Sequence, residues 1–302
     1  MNDWPRITIV TPNFNGAPTL EATLRSVLEQ DYPNLEYIVL DGGSSDGSTG
    51  ILERYSRQLT SWESAPDRGQ ADALNKGFSR ATGEIFGFLN SDDTYLPGAL
   101  RAVAETYVKN GRPDLLWGCC LITDANNIPV REHRAQISSL EDLIDLHRVW
   151  WRQRQFIQPE VFWTAAIARR AGPFRADLHI AFDYAFWLEV FSLQPRLAAV
   201  GAPLAAHRRH PGQKTNDAQR VATDVEAVAR DWLARRPETI APLRRWQLLG
   251  ELDVHRDLNP VLAVTRARAA RWWRALCFVL RHPQAILARS LWQRASAATF
   301  RR

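Results

Sequence analysis

Four carboxylates follow closely on apolar, β-branched runs: Asp41 in DGGSSDGS, Asp67 in APDRG, and Asp92 and Asp93 in NSDD. Carboxylates so placed can accept hydrogen bonds from ribose hydroxyls and base N–H groups, and they can hold hard divalent cations. Mg²⁺ or Mn²⁺ characteristically takes one or two carboxylates plus substrate phosphate oxygens. A nucleoside diphosphate bound through metal, with little direct basic contact, fits this inventory. Two common phosphate cradles are missing. The first Gly-rich stretch follows the second apolar run and reads DGGSSDG rather than G-x-G-x-x-G, and no G-x-x-x-x-G-K-[ST] occurs. Plainer readings exist for each acid. Asp41 before two glycines could be a turn former, Asp46 reads better as a helix cap than as a ligand, and Asp92-Asp93 could cap the following helix. Two acids at the end of a buried strand nevertheless cost more than a cap needs.

The elements that must position these acids alternate at short intervals. Residues 6–10 (RITIV), 35–40 (LEYIVL), 61–64, 84–89 (EIFGFL) and 115–121 predict strands. Between the first two, Leu20, Leu24, Val27 and Leu28 recur at helical spacing, with Thr19 as a candidate cap. Residues 51–59, 70–80 and 97–110 predict further helices. Strand alternating with helix implies an α/β fold, a mostly parallel sheet flanked by helices. In such sheets ligands bind outside the carboxyl ends of the strands, so TPNFN, DGGSSDG, APDRG and NSDD should converge on one crevice. Residues 126–160 predict loop and helix. Trp163, Trp187 and the Cys119-Cys120 pair read as core.

A length of 302 residues, 45% of them hydrophobic, suits one large α/β domain with appendages. The three cysteines offer neither a disulfide framework nor a C-x-x-C metal site, which fits a reducing compartment. The start MNDWPRITIV lacks the pattern of a signal peptide, and no apolar run approaches a membrane span. The net charge of +5 is uneven: residues 264–302 carry nine Arg and no acid, and the other 29 basic and 33 acidic residues leave the body at −4. On a helix, Ala269, Trp272, Trp273, Leu276, Val279 and Leu280 share one face, with Arg271, Arg274 and Arg281 opposite. Arg-rich amphipathic helices with Trp on the apolar side lie in membrane interfaces. Packing on the body is the alternative. Nucleic acid is the poorer partner, because the crevice is acidic and no recognition module is present.

In order, TPNFNG, DGGSSDGS, APDRGQADALNKGF and ATGEIFGFLNSDD resemble a family 2 glycosyltransferase with the GT-A fold, from about residue 7 to 97. The similarity resumes at IQPEVFW (157–163), GPFRADLHIAFDYAFWLEV (172–190) and HRRHPGQKT (207–215). The resemblance implies that Thr11, Pro12 and Asn13 wrap the nucleotide base, that Asp41 contacts it, and that Asp67, with Arg68 and Gly69, is a second nucleotide contact. Asp92 and Asp93 match the acidic pair of which one meets ribose or phosphate and the other ligates Mn²⁺ or Mg²⁺. Asp93 is the favoured metal ligand, although Ser91-Asp92-Asp93 departs from a strict Asp-x-Asp. Asp183 matches the catalytic base. His207 and His210 match a segment that closes over the pyrophosphate, and His207 is a candidate additional ligand.

The implied activity is inverting, metal-dependent transfer from a UDP-, GDP- or dTDP-linked sugar to a hydroxyl acceptor, such as a glycan or a lipid-linked glycan of surface polysaccharide synthesis. The expected organisation is a nucleotide-sugar-binding part over 1–125, an acceptor-binding and catalytic part over 126–215, and a helical extension over 216–302. With the tail at the membrane, the expected location is the cytoplasm, peripheral on the cytoplasmic face. The competing readings are a non-catalytic nucleotide- or glycan-binding protein and a sugar nucleotidyltransferase. The latter usually carries a basic Gly-rich loop after its first strand, which TPNFNGAP is not.

Overall fold

The computed structural model describes residues 4–258, 261–262, 265 and 267–296. They fall into two compact units, 1–136 with 156–221 and 137–155 with 222–302.

The first unit is built on a nine-stranded sheet in the order β3-β2-β1-β4-β8-β6-β9-β5, with β7 pairing β6. Its strands are β1 (Ile7–Asn13), β2 (Leu35–Asp41), β3 (Ser61–Ser64), β4 (Ile85–Phe88), β5 (Thr94–Tyr95), β6 (Leu115–Thr123), β7 (Pro129–Arg134), β8 (Val161–Thr164) and β9 (Leu197–Arg208). Pairing is parallel across β3, β2, β1 and β4 and between β6 and β9; β4–β8, β6–β8, β6–β7 and β5–β9 are antiparallel. The parallel half follows from the helical crossovers α1 (Ala17–Leu28), α2 (Ser48–Tyr55) and α3 (Gln70–Arg80), and α4 (Ala99–Lys109) follows β5. On one face Leu20, Leu24, Leu52, Leu100 and Val103 close over Ile7, Ile9, Ile85, Cys120, Phe162 and Ala205. The other face is aromatic: Phe88 and Trp163 meet Phe174 and the rings of Phe182, Phe186 and Trp187 on α7 (Phe182–Ser192). Trp163, Trp187, Cys119 and Cys120 are all core, as expected.

Local differences from the sequence reading have local causes. β1 runs on to Asn13, so Thr11 and Pro12 lie inside the strand instead of leaving it. Thr19 does not cap α1, which starts at Ala17 with Gly16 before it. Asp46 caps: its carboxylate accepts from the Ala17 N–H at 2.8 Å and the Ser48 N–H at 3.1 Å, serving the first turns of α1 and α2 together. Asp92 and Asp93 do not cap α4, whose start is Gly98 at φ +79°, with Pro97 outside the helix. Residues 129–134 form a strand where loop and helix were expected, because His133 of β7 sits opposite Cys120 of β6.

The second unit is helical. Between β8 and α7 the chain forms α6 (Ala165–Ala171), and the helical unit includes α5 (Leu140–Ile144), most of α8 (Ala218–Arg235), α9 (Pro242–Asp253), a tail helix (Arg268–Arg281) and a last helix (Arg289–Ser296). Val254, Leu258, Ala275, Phe278, Ala285 and Leu291 form its core with Val279 packed against them. A side chain at Gly250 would run into the Gln284 main chain, so α9 needs glycine there to approach it. The tail helix differs from the expected two-faced arrangement. Arg271 is buried on the packed side with Ala275 and Phe278, because its guanidinium donates to the Arg294 carbonyl. Trp272, Trp273, Leu276 and Leu280 are exposed. Residues 264, 266 and 297–302 of the tail lie outside the described residues. Among the described residues no helix is long and apolar enough to cross a membrane.

Candidate functional site

The register of the parallel strands sets Asn13, Asp41 and Ser64 side by side at the carboxyl ends of β1, β2 and β3. Residues so paired project to one face, and here they meet. Asp41 Oδ1 accepts from Asn13 Nδ2 at 2.6 Å and Ser44 Oγ at 2.5 Å; Oδ2 accepts from Ser64 Oγ at 2.6 Å and the Ser44 N–H at 2.9 Å. Burial alone would raise the Asp41 pKa, but the hydrogen bonds from Ser44, Ser64 and Asn13 leave it below the usual carboxylate value. Asp41 therefore stands as a buried anion that locks three strand ends together. Asn13 Oδ1 is buried without a partner among the described residues.

The loops converge as the strand-end rule requires. Phe14 and Asp67 both lie against Gly42. Gln70 Nε2 donates to Asn90 Oδ1 at 2.6 Å, tying the first residue of α3 to the loop after β4. Asp67 accepts from the Gly69 N–H at 2.7 Å, and Gly69 takes φ +113°, a backbone region that favours glycine, to open α3. Arg68 is directed to Asp72 at 2.9 Å, with Lys76 at 3.1 Å from the same acid. Asp72 is accordingly held low, to about 2, by Arg68 first and by Lys76. Thr11 is fully buried with its hydroxyl 3.0 Å from that of Tyr37, and Pro12 is buried too. Their side chains are scaffold; the exposed group at the end of β1 is Phe14, 67% exposed beside Asp67 and Gly42. Its type and place suit stacking on a base. The signal for it in the sequence is an aromatic just past a strand end, in TPNFN.

Strand β9 lies between β6 and β5, and its antiparallel pairing with β5 brings the histidines to the acid pair. His207 Nδ1 stands 3.2 Å from Asp93 Oδ1, and His210 Nε2 stands 3.0 Å from Asp92 Oδ2. Burial, then the neighbouring Asp93 charge, raises the Asp92 pKa, with His210 opposing. For His207 burial works downward, but Asp93 and Asp92 raise it overall. An acid whose charge is disfavoured by burial and by an adjacent carboxylate forms with it a site that gains from a cation. Asp93 fits one: it is fully buried, its Oδ1 accepts the Arg208 main-chain N–H at 3.0 Å, and its Oδ2 has no partner among the described residues. A carboxylate oxygen suits Mn²⁺ or Mg²⁺, and a nearby imidazole favours Mn²⁺ of the two. Among the described residues one trio has its ligand atoms all within 4.8 Å of one another, Asp253, Asp257 and His282 of the helical unit; no three of Asp92, Asp93, His207 and His210 close to that distance. The trio's acids are already paired with Arg230 at 2.8 Å and Arg256 at 2.7 Å.

Asp183 is in the first turn of α7, where its Oδ1 accepts the Tyr184 N–H at 2.8 Å. Ala181, just before the helix, is held at φ +62°, in the left-handed region that costs a non-glycine residue about 1 kcal/mol or more. Burial raises the Asp183 carboxyl above the ordinary value.

A half-parallel sheet with acids gathered at its carboxyl edge and a returning strand of histidines defines a GT-A-type α/β protein. The chain belongs to glycosyl transferase family 2, whose family model matches residues 8–175. It is similar to the uncharacterized glycosyltransferase MT1564 of Mycobacterium tuberculosis, with 34% identity over 120 residues, 39% of this chain and 46% of that protein. It also resembles a PGL/p-HBAD biosynthesis glycosyltransferase of Mycobacterium bovis, with 26% identity over 192 residues, 62% of this chain and 70% of the other. The match thus spans less than half the length of MT1564. Among solved structures, S. aureus TarS 1-349 in complex with UDP-GlcNAc superposes with TM-score 0.68 at 16% identity, covering 96% of this chain and 87% of that one. The mannosyltransferase PcManGT of Pyrobaculum calidifontis, in complex with GDP-Man and Mn²⁺, gives TM-score 0.51 at 21% identity, covering 98% and 77%. Both share the fold.

Proposed function

We propose that this protein transfers a sugar from a nucleotide-linked donor to a hydroxyl acceptor with inversion, in the crevice bounded by Asn13, Asp41, Asp67, Asp92 and Asp93. The carrying observation is the buried Asp93 Oδ2, unpartnered among the described residues, on a carboxylate whose other oxygen meets His207 and whose neighbour Asp92 meets His210. The nucleotide sugars bound by TarS and PcManGT support this donor class. Asn13 and Phe14 receive the base, Asp67 contacts the nucleotide, and Asp92 meets ribose or phosphate. A divalent cation, held by Asp93 and His207, would supply the positive charge that a departing diphosphate needs. Asp183 takes the proton of the acceptor hydroxyl as that oxygen attacks the anomeric carbon in line. General-base action of this kind contributes roughly 10²–10⁴-fold; orientation in the crevice supplies the rest.

The acceptor we infer is a lipid-linked glycan, met at the cytoplasmic membrane face. The tail helix supports this reading: Trp273 is 67% and Leu280 77% exposed, with Trp272 and Leu276 beside them and Arg274 and Arg281 also exposed. An apolar stripe flanked by arginine suits an interface with anionic headgroups. The test of the enzyme reading is release of nucleoside diphosphate from a panel of UDP-, GDP- and dTDP-sugars. Mn²⁺-dependent release that a chelator stops is the expected result, and no release from any donor would refute it.

A further inference from the structure

Strand β9 ends in a residue to which the transferase reading gives no task. Arg208 is 7% exposed, and its Nε and Nη2 meet no acceptor among the described residues. Its main chain is engaged, donating to Asp93 Oδ1 at 3.0 Å and accepting from the Gln213 side chain, but its Nε and Nη2 are not, among the described residues. Opposite it on β6 stands Thr123, 1% exposed, with an Oγ1 that also lacks a partner. Two register partners project to the same face. Two unpartnered polar side chains thus share one buried spot.

Strand alternation says which face that is. Ala205 belongs to the core shared with Cys120 and Phe162 under α1 and α4, and His207, two residues on, faces Asp93 on that side. Arg208 and Thr123 project the other way, to the face where Trp163 and Phe88 pack against α7. α7 carries Asp183 in its first turn. A guanidinium this deep with no counter-charge is strongly unfavourable in isolation. The donors on offer are N–H and O–H groups, with no carboxylate bonded to them, and a fork of guanidinium N–H groups matches phosphate oxygens. A neutral sugar hydroxyl could accept from them but would leave the charge uncompensated.

We propose that Arg208 and Thr123 seat a phosphate group carried by the acceptor, on the Asp183 side of the sheet. The proposal rests on the transferase reading and narrows its acceptor to a phosphate-bearing molecule. The donor's own diphosphate offers the same chemistry, so the test separates the two sources. Thermal unfolding of the full chain is followed with each nucleoside diphosphate and Mg²⁺, and then with inorganic phosphate added at nucleotide saturation. For the wild type, phosphate should add about 3 °C when at ten times its dissociation constant. In Arg208→Met that added rise should vanish while the nucleotide shift persists. The ligand-free Tm of this variant should rise, because an unpaired buried charge has gone. Thr123→Val, nearly isosteric, should weaken the phosphate effect several-fold without lowering the ligand-free Tm. A phosphate effect unchanged in both variants overturns the seat, as does a lower ligand-free Tm in Arg208→Met. Loss of the nucleotide shift in Arg208→Met assigns the seat to the donor and overturns the acceptor reading. A wild type that responds to no nucleoside diphosphate refutes the transferase reading itself, and the acceptor assignment with it.

Discussion

Replacing Asp41 with asparagine separates an acid that builds the crevice from one that merely lines it. In the structure Asp41 is 2% exposed and accepts four hydrogen bonds, two on each oxygen. An amide turns one oxygen into a donor. Placed at Oδ2 it would confront the Ser44 N–H, which cannot reverse. Placed at Oδ1 it would confront Asn13 Nδ2, which can flip to present its unpartnered Oδ1, and Ser44 Oγ, which can rotate. The cheaper arrangement keeps the geometry and loses the charge that strengthens each bond. Hydrogen bonds to charged groups contribute about 1.5–3 kcal/mol against about 0.5–1.5 for neutral ones. Across these four partners, with some relaxation, Asp41→Asn should cost about 2–4 kcal/mol, a Tm lower by roughly 5–15 °C. The pH dependence has a definite sign. The folded pKa lies below the unfolded value, so the stabilisation is complete above the unfolded pKa of about 3.9 and fades as pH falls through the folded one. Urea unfolding of both proteins at pH 7 and at pH 3 reads this directly. The gap should be full at pH 7 and narrower at pH 3. Equal stability at pH 7, or a gap indifferent to pH, would refute the claim that the ionised Asp41 fastens the three strand ends.

Other residues give sharper readouts of chemistry and docking. Asp183→Asn should lower turnover by roughly 10²–10⁴-fold with nucleotide affinity unchanged; because burial raises this carboxyl, wild-type turnover should fall as pH drops through that raised value. An Asp183→Asn enzyme of normal rate would end its role as base. Glu160 is fully buried and pushed up to about 9 by burial, with the Ile157 N–H opposing, so it is neutral in the folded state at pH 7. Its stabilising effect is complete below the unfolded pKa and is lost as pH rises toward 9, at up to about 1.4 kcal/mol per pH unit. Glu160→Gln should therefore gain stability relative to wild type at pH 8 over pH 5 in urea titrations; a pH-independent difference would show an ordinary acid. Trp273→Glu with Leu280→Glu, both on exposed positions, should cut sedimentation with anionic vesicles at least about tenfold and leave Tm unchanged. Unchanged sedimentation would remove the tail from membrane docking.

The parallel half of the sheet was legible because each strand is a short β-branched or apolar run stopped by a turn-rich segment, and because those segments carry the acids. The antiparallel half was not. In β7 the exposed residues of PVREHR show no apolar alternation, and only pairing with β6 makes them a strand. Asp92, Asp93, His207 and His210 were each visible as candidates, yet their pairing depends on β9 lying antiparallel to β5, which spacing does not reveal. Thr11 and Pro12 were read as crevice residues because a turn-like TPN hides that the strand continues to Asn13. Arg208 drew no attention because HRRH reads as an exposed basic loop. Its burial follows from ending a central strand instead. Arg271 misled for the opposite reason, since a helical wheel places it on a polar face without knowing that the Arg294 carbonyl lies opposite.

The most direct test of the central claim is calorimetric titration of the protein with UDP, GDP and dTDP, each with and without Mn²⁺, repeated on Asp93→Asn. The account predicts that one nucleoside diphosphate binds in the presence of Mn²⁺, and that Asp93→Asn abolishes the metal-dependent part of that affinity. Binding that is indifferent to Mn²⁺ and unchanged in Asp93→Asn would contradict it.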